Sequence, residues 1–89
     1  MTSQLRRAAV SVPGNIAEGA ARKTTKDFIN FLHIARGSLA ELETQVLLSR
    51  RLCFLPEGVE LQPKLDEVGR LLNAVIQGLQ RKLSDPGQN

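Results

Sequence analysis

Few side chains in this sequence can do acid–base or covalent chemistry. His33 is the only histidine and Cys53 the only cysteine in 89 residues. A general base must lie within hydrogen-bond reach of the proton it takes, and no nucleophile or paired carboxylate stands at a suggestive spacing from His33. A surface imidazole is the plainer reading. Cys53 has no histidine placed to activate it, so its thiol reads as structural or incidental rather than as a nucleophile or ligand. One Cys and one His do not make a metal site, which needs several ligands. Gly14 and Gly19 are spaced as in a phosphate loop. Ala20-Ala21 stand where that loop needs Lys followed by Ser or Thr, and the segment reads as helix rather than strand–loop–helix. The sequence therefore predicts no catalytic residue, no metal and no cofactor: the protein reads as non-enzymatic.

What remains is charge and surface. The net charge is +3 and the isoelectric point about 9.6. That excess permits an anionic partner such as RNA or DNA without requiring one, because net charge speaks to solubility and loose association. The basic residues form two groups: Arg22, Lys23 and Lys26 in one turn, and Arg50 and Arg51 at the far end of the following helix. Repeated in several copies of the chain, each group becomes a collar of positive charge, and multivalency then makes phosphate binding appreciable. Phe28, Phe31 and Phe54 are the only aromatic residues, which argues against the base-stacking platforms of single-strand binders.

The elements that position these groups follow from periodicity. From Thr24 to Leu55 the pattern is helical. Phe28, Leu32, Ala35, Leu39, Leu42 and Val46 form one core-facing stripe. Apolar residues continue on both flanks: Ile29, Ala40 and Leu47 on one, Ile34, Leu48 and Leu52 on the other. The polar strip left over (Lys26, Asn30, His33, Glu41, Thr44, Arg51) is thin. Such a helix, roughly 40 Å long, buries more than one surface, and in so small a chain the second is predicted to meet another copy. Ile29, Ile34, Leu47, Leu48 and Leu52 are the candidate oligomer interface. Thr24 or Thr25 caps the start, with Asp27 in the first turn. An earlier helix carries Leu5, Ala9, Val12, Ile16 and Gly19 as its stripe, with Pro13 predicted to kink it and many small residues allowing close approach. Glu18 and Arg22 are spaced to pair. Leu55-Pro56-Glu57-Gly58 marks a connection, Val59 to Gln62 a turn, and Pro63 the start of a last helix with Leu65, Val68, Leu72, Val75, Ile76, Leu79 and Leu83 as its stripe. The fold class is all-α, an antiparallel helical bundle in a single domain over residues 1–89. The predicted helices cover about 3–21, 25–52 and 63–83, with a disordered polar tail over 84–89. No apolar run approaches the roughly 20 residues that cross a bilayer, no signal peptide is apparent, and a lone thiol fits a reducing cytoplasm.

Two runs carry a resemblance. Pro13-Gly14-Asn15-Ile16-Ala17-Glu18-Gly19 closely resembles a P-(S/G)-N-I-A-E-G signature. The run from Phe31 to Gln45, FLHIARGSLAELETQ, resembles its partner motif FLxIAxGSLxELETQ. Both are similar to those of the small four-helix-bundle proteins encoded within intervening sequences of bacterial 23S ribosomal RNA genes. The accessory proteins of diversity-generating retroelements are similar in fold. The likeness spans essentially the whole chain. It implies a cytoplasmic bundle assembling into a ring, a homopentamer, and it implies no catalytic activity. For the retroelement relatives a basic barrel binding nucleic acid and a reverse transcriptase is the implied role, an analogy of fold and a weak warrant for function. The chain departs from the pattern in two places. The helix that usually precedes the segment starting here at Met1 is absent, which predicts three of four helices and an open groove in place of the other. Cys53 stands where a glycine is usual.

Asn15, Glu18, Gly19, Arg36, Gly37, Ser38, Glu41 and Glu43 belong to the two motifs. Their polar members are expected to make inter-helix hydrogen bonds that fix register, because buried polar groups in a bundle must be satisfied. Arg6 or Arg7 is expected to pair with Glu41 or Glu43. Two functions follow from this reading. The first is an oligomeric helical protein that binds RNA or other nucleic acid through repeated basic patches. The alternative is a protein-binding scaffold or structural oligomer with no nucleic-acid role.

Overall fold

The computed structural model describes residues 2–52 and 61–84. Three helices make it up: α1 (Thr2–Ala20), α2 (Thr25–Arg51) and α3 (Gln62–Ser84). Each end lies within one residue of its sequence window, the usual uncertainty of a helix boundary. Among the described residues there is no strand. The connection at 55–58, Val59 and Glu60 of the expected turn, Cys53, Phe54 and the tail beyond Ser84 lie outside the described residues.

Local chemistry explains the ends. The Asp27 amide donates to Thr24 Oγ1 at 3.1 Å, so Thr24 is the N-cap of α2 and Asp27 complements its dipole. The Leu52 amide donates to Leu48 O at 2.9 Å and closes the last turn. α1 runs unbroken through Pro13.

α2 is the central element. Its buried residues Ile29, Leu32, Ala35 and Leu39 form one core cluster with Val12 of α1 and Leu72 and Ile76 of α3; Ala8 and Val46 are buried as well. α1 comes very close at one point. A Cβ on Gly19 would lie 2.7 Å from Phe31 Cβ and 2.9 Å from Phe28 Cδ1, so only glycine admits this approach.

α1 and α3 each pack on α2 and not on each other: no Cα of α1 comes within 8 Å of one of α3. Helices packed side by side have axes about 8–10 Å apart, which would bring Cα atoms closer than that. The Cα atoms span 53 × 21 × 13 Å. The described helices therefore occupy three corners of a four-cornered bundle, with α2 at the middle corner and no described residue filling the fourth.

Several stripe assignments shift. Ile29, expected at an oligomer interface, is 7% exposed and part of the core. It lies on the side of α2 that α3 covers, and the single-stripe reading had drawn the core face too narrow. Ala8, which widens the apolar stripe of α1, is buried, while the stripe residue Ala9 is exposed. Val75 and Leu83 are exposed although they belong to the predicted α3 stripe: Val75 borders the unfilled corner, and Leu83 lies in the last turn of α3.

Candidate nucleic-acid interface

Two polar clusters join the helices. Between α1 and α2, Ser11 Oγ and Ser38 Oγ lie 2.7 Å apart. The Asn15 amide nitrogen donates to Ser11 O at 2.8 Å and to Ser11 Oγ at 3.0 Å. Asn15 and Ser38, one from each motif, thus meet through Ser11, which the motifs do not include. Between α2 and α3, Arg36 Nη1 donates to Asn73 Oδ1 at 3.0 Å. Arg36 Nη2 lies 2.9 Å from His33 Nδ1. A guanidinium has only donors, so Nδ1 accepts and the ring carries its proton on Nε2. His33 is half-buried, less exposed than the sequence suggested.

The other motif residues part company. Glu18 pairs with Arg22 at 3.1 Å across one helical turn, as their spacing predicted. Gly19 is the close-approach point already described. Gly37 is exposed, and a Cβ there would meet nothing within 4 Å. Glu41 is exposed and Glu43 half-buried. The ion pair expected between Arg6 or Arg7 and Glu41 or Glu43 does not form.

The two basic groups lie at opposite ends of α2. Arg22 is engaged by Glu18 and lies over the Phe31 ring, 4.8 Å from its centroid. Lys23 and Lys26 are exposed, as are Arg50 and Arg51 in the last turn of α2. The five do not converge on one surface. Of the remaining apolar candidates, Leu47 borders a hollow with Glu43 and Gln62 beside the start of α3. Ile34, Leu48 and Leu52 are 51%, 42% and 56% exposed and share the side of α2 opposite its core.

A different surface gathers the charge. The Arg36–Asn73 bond fixes the register of α2 against α3. At 100° per residue, Lys26, Asn30 and His33 share a face with Arg36, and Arg70, Gln77 and Arg81 share one with Asn73. Apart from half-buried His33, all are exposed. Residues 28–40 and 69–84 contain no Asp or Glu, so Arg36, Arg70 and Arg81 share this stretch of the face with several amides and no carboxylate; Lys26 lies beyond it, next to Asp27. This was missed from the sequence because basic residues were grouped by closeness in the chain. The signal was there, in the carboxylate-free second half of α3.

Among the described residues no group of three or more His, Cys, Asp or Glu could hold a metal ion. No helix among them is long and apolar enough to cross a membrane.

The class these features define is an open, all-helical bundle whose polar surface carries basic and amide groups. A family model for the 23S rRNA-intervening sequence protein matches residues 1–74, which takes in α1, α2 and the first half of α3. The chain belongs to that family. The family's name records a genetic location and states no activity. No curated protein matches the chain.

Proposed function

We propose that the protein is a non-enzymatic, self-assembling helical bundle that binds structured RNA through the α2–α3 face. One observation carries the reading: Arg36, Arg70 and Arg81 lie on a stretch of the α2–α3 face, residues 28–40 and 69–84, without carboxylates, and Arg36 is already held by Asn73 and His33. A held guanidinium loses less freedom when a phosphate docks, and it keeps donors to spare. Asn30, Asn73 and Gln77 add groups that hydrogen-bond to phosphate, sugar or base. The absence of Trp and Tyr favours shape and backbone recognition of folded RNA over stacking on single strands.

Assembly supplies the affinity that a few cations cannot. Ile34, Leu48 and Leu52 form the exposed apolar strip through which copies of the chain would meet, and each copy adds its own basic face. Five copies is the ring size the sequence resemblance implies.

Fluorescence anisotropy with a labelled RNA hairpin, followed against salt, tests the reading. With three to four phosphates contacted, the logarithm of the affinity should fall against the logarithm of salt with a slope of about −3 per bound face. The substitutions Arg70→Glu and Arg81→Glu should each weaken binding about tenfold or more. Binding that ignores salt, or that survives both substitutions, removes the proposal.

A further inference from the structure

Arg36 and His33 meet in a way that depends on one proton. Arg36 Nη2 lies 2.9 Å from His33 Nδ1, and Arg36 Nη1 donates to Asn73 Oδ1 at 3.0 Å. The guanidinium can only donate, so the first contact exists only while Nδ1 keeps its lone pair free. Imidazole is the side chain that changes charge between pH 5 and 8. A proton added at Nδ1 turns the pair into two cations whose donors face each other with no acceptor between them. Asn73 still holds Nη1, so the guanidinium stays at the seam while Nη2 is freed.

The surroundings offer no carboxylate to take up the new charge. On α2 the charged neighbours are Arg36 and, further along, Lys26 beside Asp27. Asp27 and Glu41 are the acidic residues of α2 nearest to His33 on either side, roughly 9 and 12 Å away along the axis. On α3, Arg70 and Arg81 share the face, and the acidic residues nearest to Asn73 are Glu67 and Asp66 in the first turns. Asp66 already accepts from Gln62 at 2.8 Å. α1 packs on the opposite flank of α2, against Phe31 and Ser38. An anion resolves the arrangement. One phosphate oxygen can accept from Nδ1–H and Nη2–H together, and such charge-assisted bonds are short and strong.

We propose that His33 and Arg36 form a proton-loaded clamp for a single RNA phosphate, in which phosphate binding and protonation of His33 favour each other. The clamp rests on RNA recognition by the α2–α3 face and adds its regulation. The two events are reciprocal by linkage. Phosphate holds the proton on His33, so binding takes up a proton and affinity rises as pH falls.

The test uses the full chain and a labelled RNA hairpin without terminal phosphates, at fixed salt. His33 is the only histidine, so an imidazole response has one source. From pH 8 to pH 5.5 the wild-type affinity should rise about tenfold or more. Calorimetry midway through that range, in two buffers of different ionisation enthalpy, should show net proton uptake on binding. His33→Gln keeps an acceptor for Arg36 but cannot take the proton, and should hold the wild-type pH 8 affinity throughout. His33→Lys carries a fixed charge and should bind tightly at pH 8 as well. Salt-dependent binding with no pH response and no proton uptake, or a pH response that His33→Gln retains, overturns the clamp and leaves RNA recognition standing. No binding at any pH removes both.

Discussion

Glycine does three different jobs in this chain, and only the structure tells them apart. Gly19 is required by contact: a methyl group would run into Phe31 Cβ at 2.7 Å, an atom too close to its backbone to move aside. Gly19→Ala should therefore destabilise the fold by about 1–3 kcal/mol through overpacking, despite alanine's better helix propensity. Gly37 faces open space, so Gly37→Ala should stabilise an isolated chain by about 1 kcal/mol. Urea denaturation of the two variants checks both signs. Gly69 is intermediate, its Cβ position in ordinary contact with Leu39 Cδ2 at 3.4 Å. The Thr24 cap and the Glu18–Arg22 pair were legible in the sequence because each depends on neighbours within four residues. The Ser11–Ser38 contact was not, since it depends on how two helices are rotated against each other.

At the scale of the element, each helix shows what a sequence stripe can and cannot say. α2 was legible as the central helix, because it is apolar on several sides. Which of those sides belongs to the core was not. Ile29 is covered by α3, while Ile34 and Leu48 face outward, although all three looked alike as flank residues. α3 presents two apolar edges, one toward α2 through Leu72 and Ile76 and one toward the unfilled corner through Leu71 and Val75. The periodicity merged them into one. Burial decides the energetic consequence. Leu32→Ala, at 2% exposure, should cost about 2–5 kcal/mol, whereas Leu71→Ala should cost much less in the isolated chain. Thermal melts of the two variants measure the difference directly.

For the whole molecule, three helices on three corners leave two sides with different characters. One is polar and basic where α2 meets α3, and free of carboxylates over residues 28–40 and 69–84. The other is the apolar trough of the unfilled corner, between α1 and α3. The bundle class was readable from the chain. The basic face was not, because it takes residues from two helices and depends on the register that Arg36 and Asn73 set. Assembly belongs to this scale as well. Light scattering should give a native mass that is a multiple of 9.8 kDa, and Leu48→Asp with Leu52→Asp should reduce it to that of one chain. A wild-type mass of 9.8 kDa at high concentration would remove the assembly and leave the basic face to act singly.

The most direct measurement is an amide chemical-shift map of the labelled protein as an RNA hairpin is added. The shifts should concentrate on Lys26, Asn30, His33 and Arg36 of α2 and on Arg70, Asn73, Gln77 and Arg81 of α3, and should fade as salt is raised. Perturbations centred on α1 or on Leu42, Leu71 and Val75 at the unfilled corner, or no perturbation at low salt, would contradict RNA recognition by the α2–α3 face.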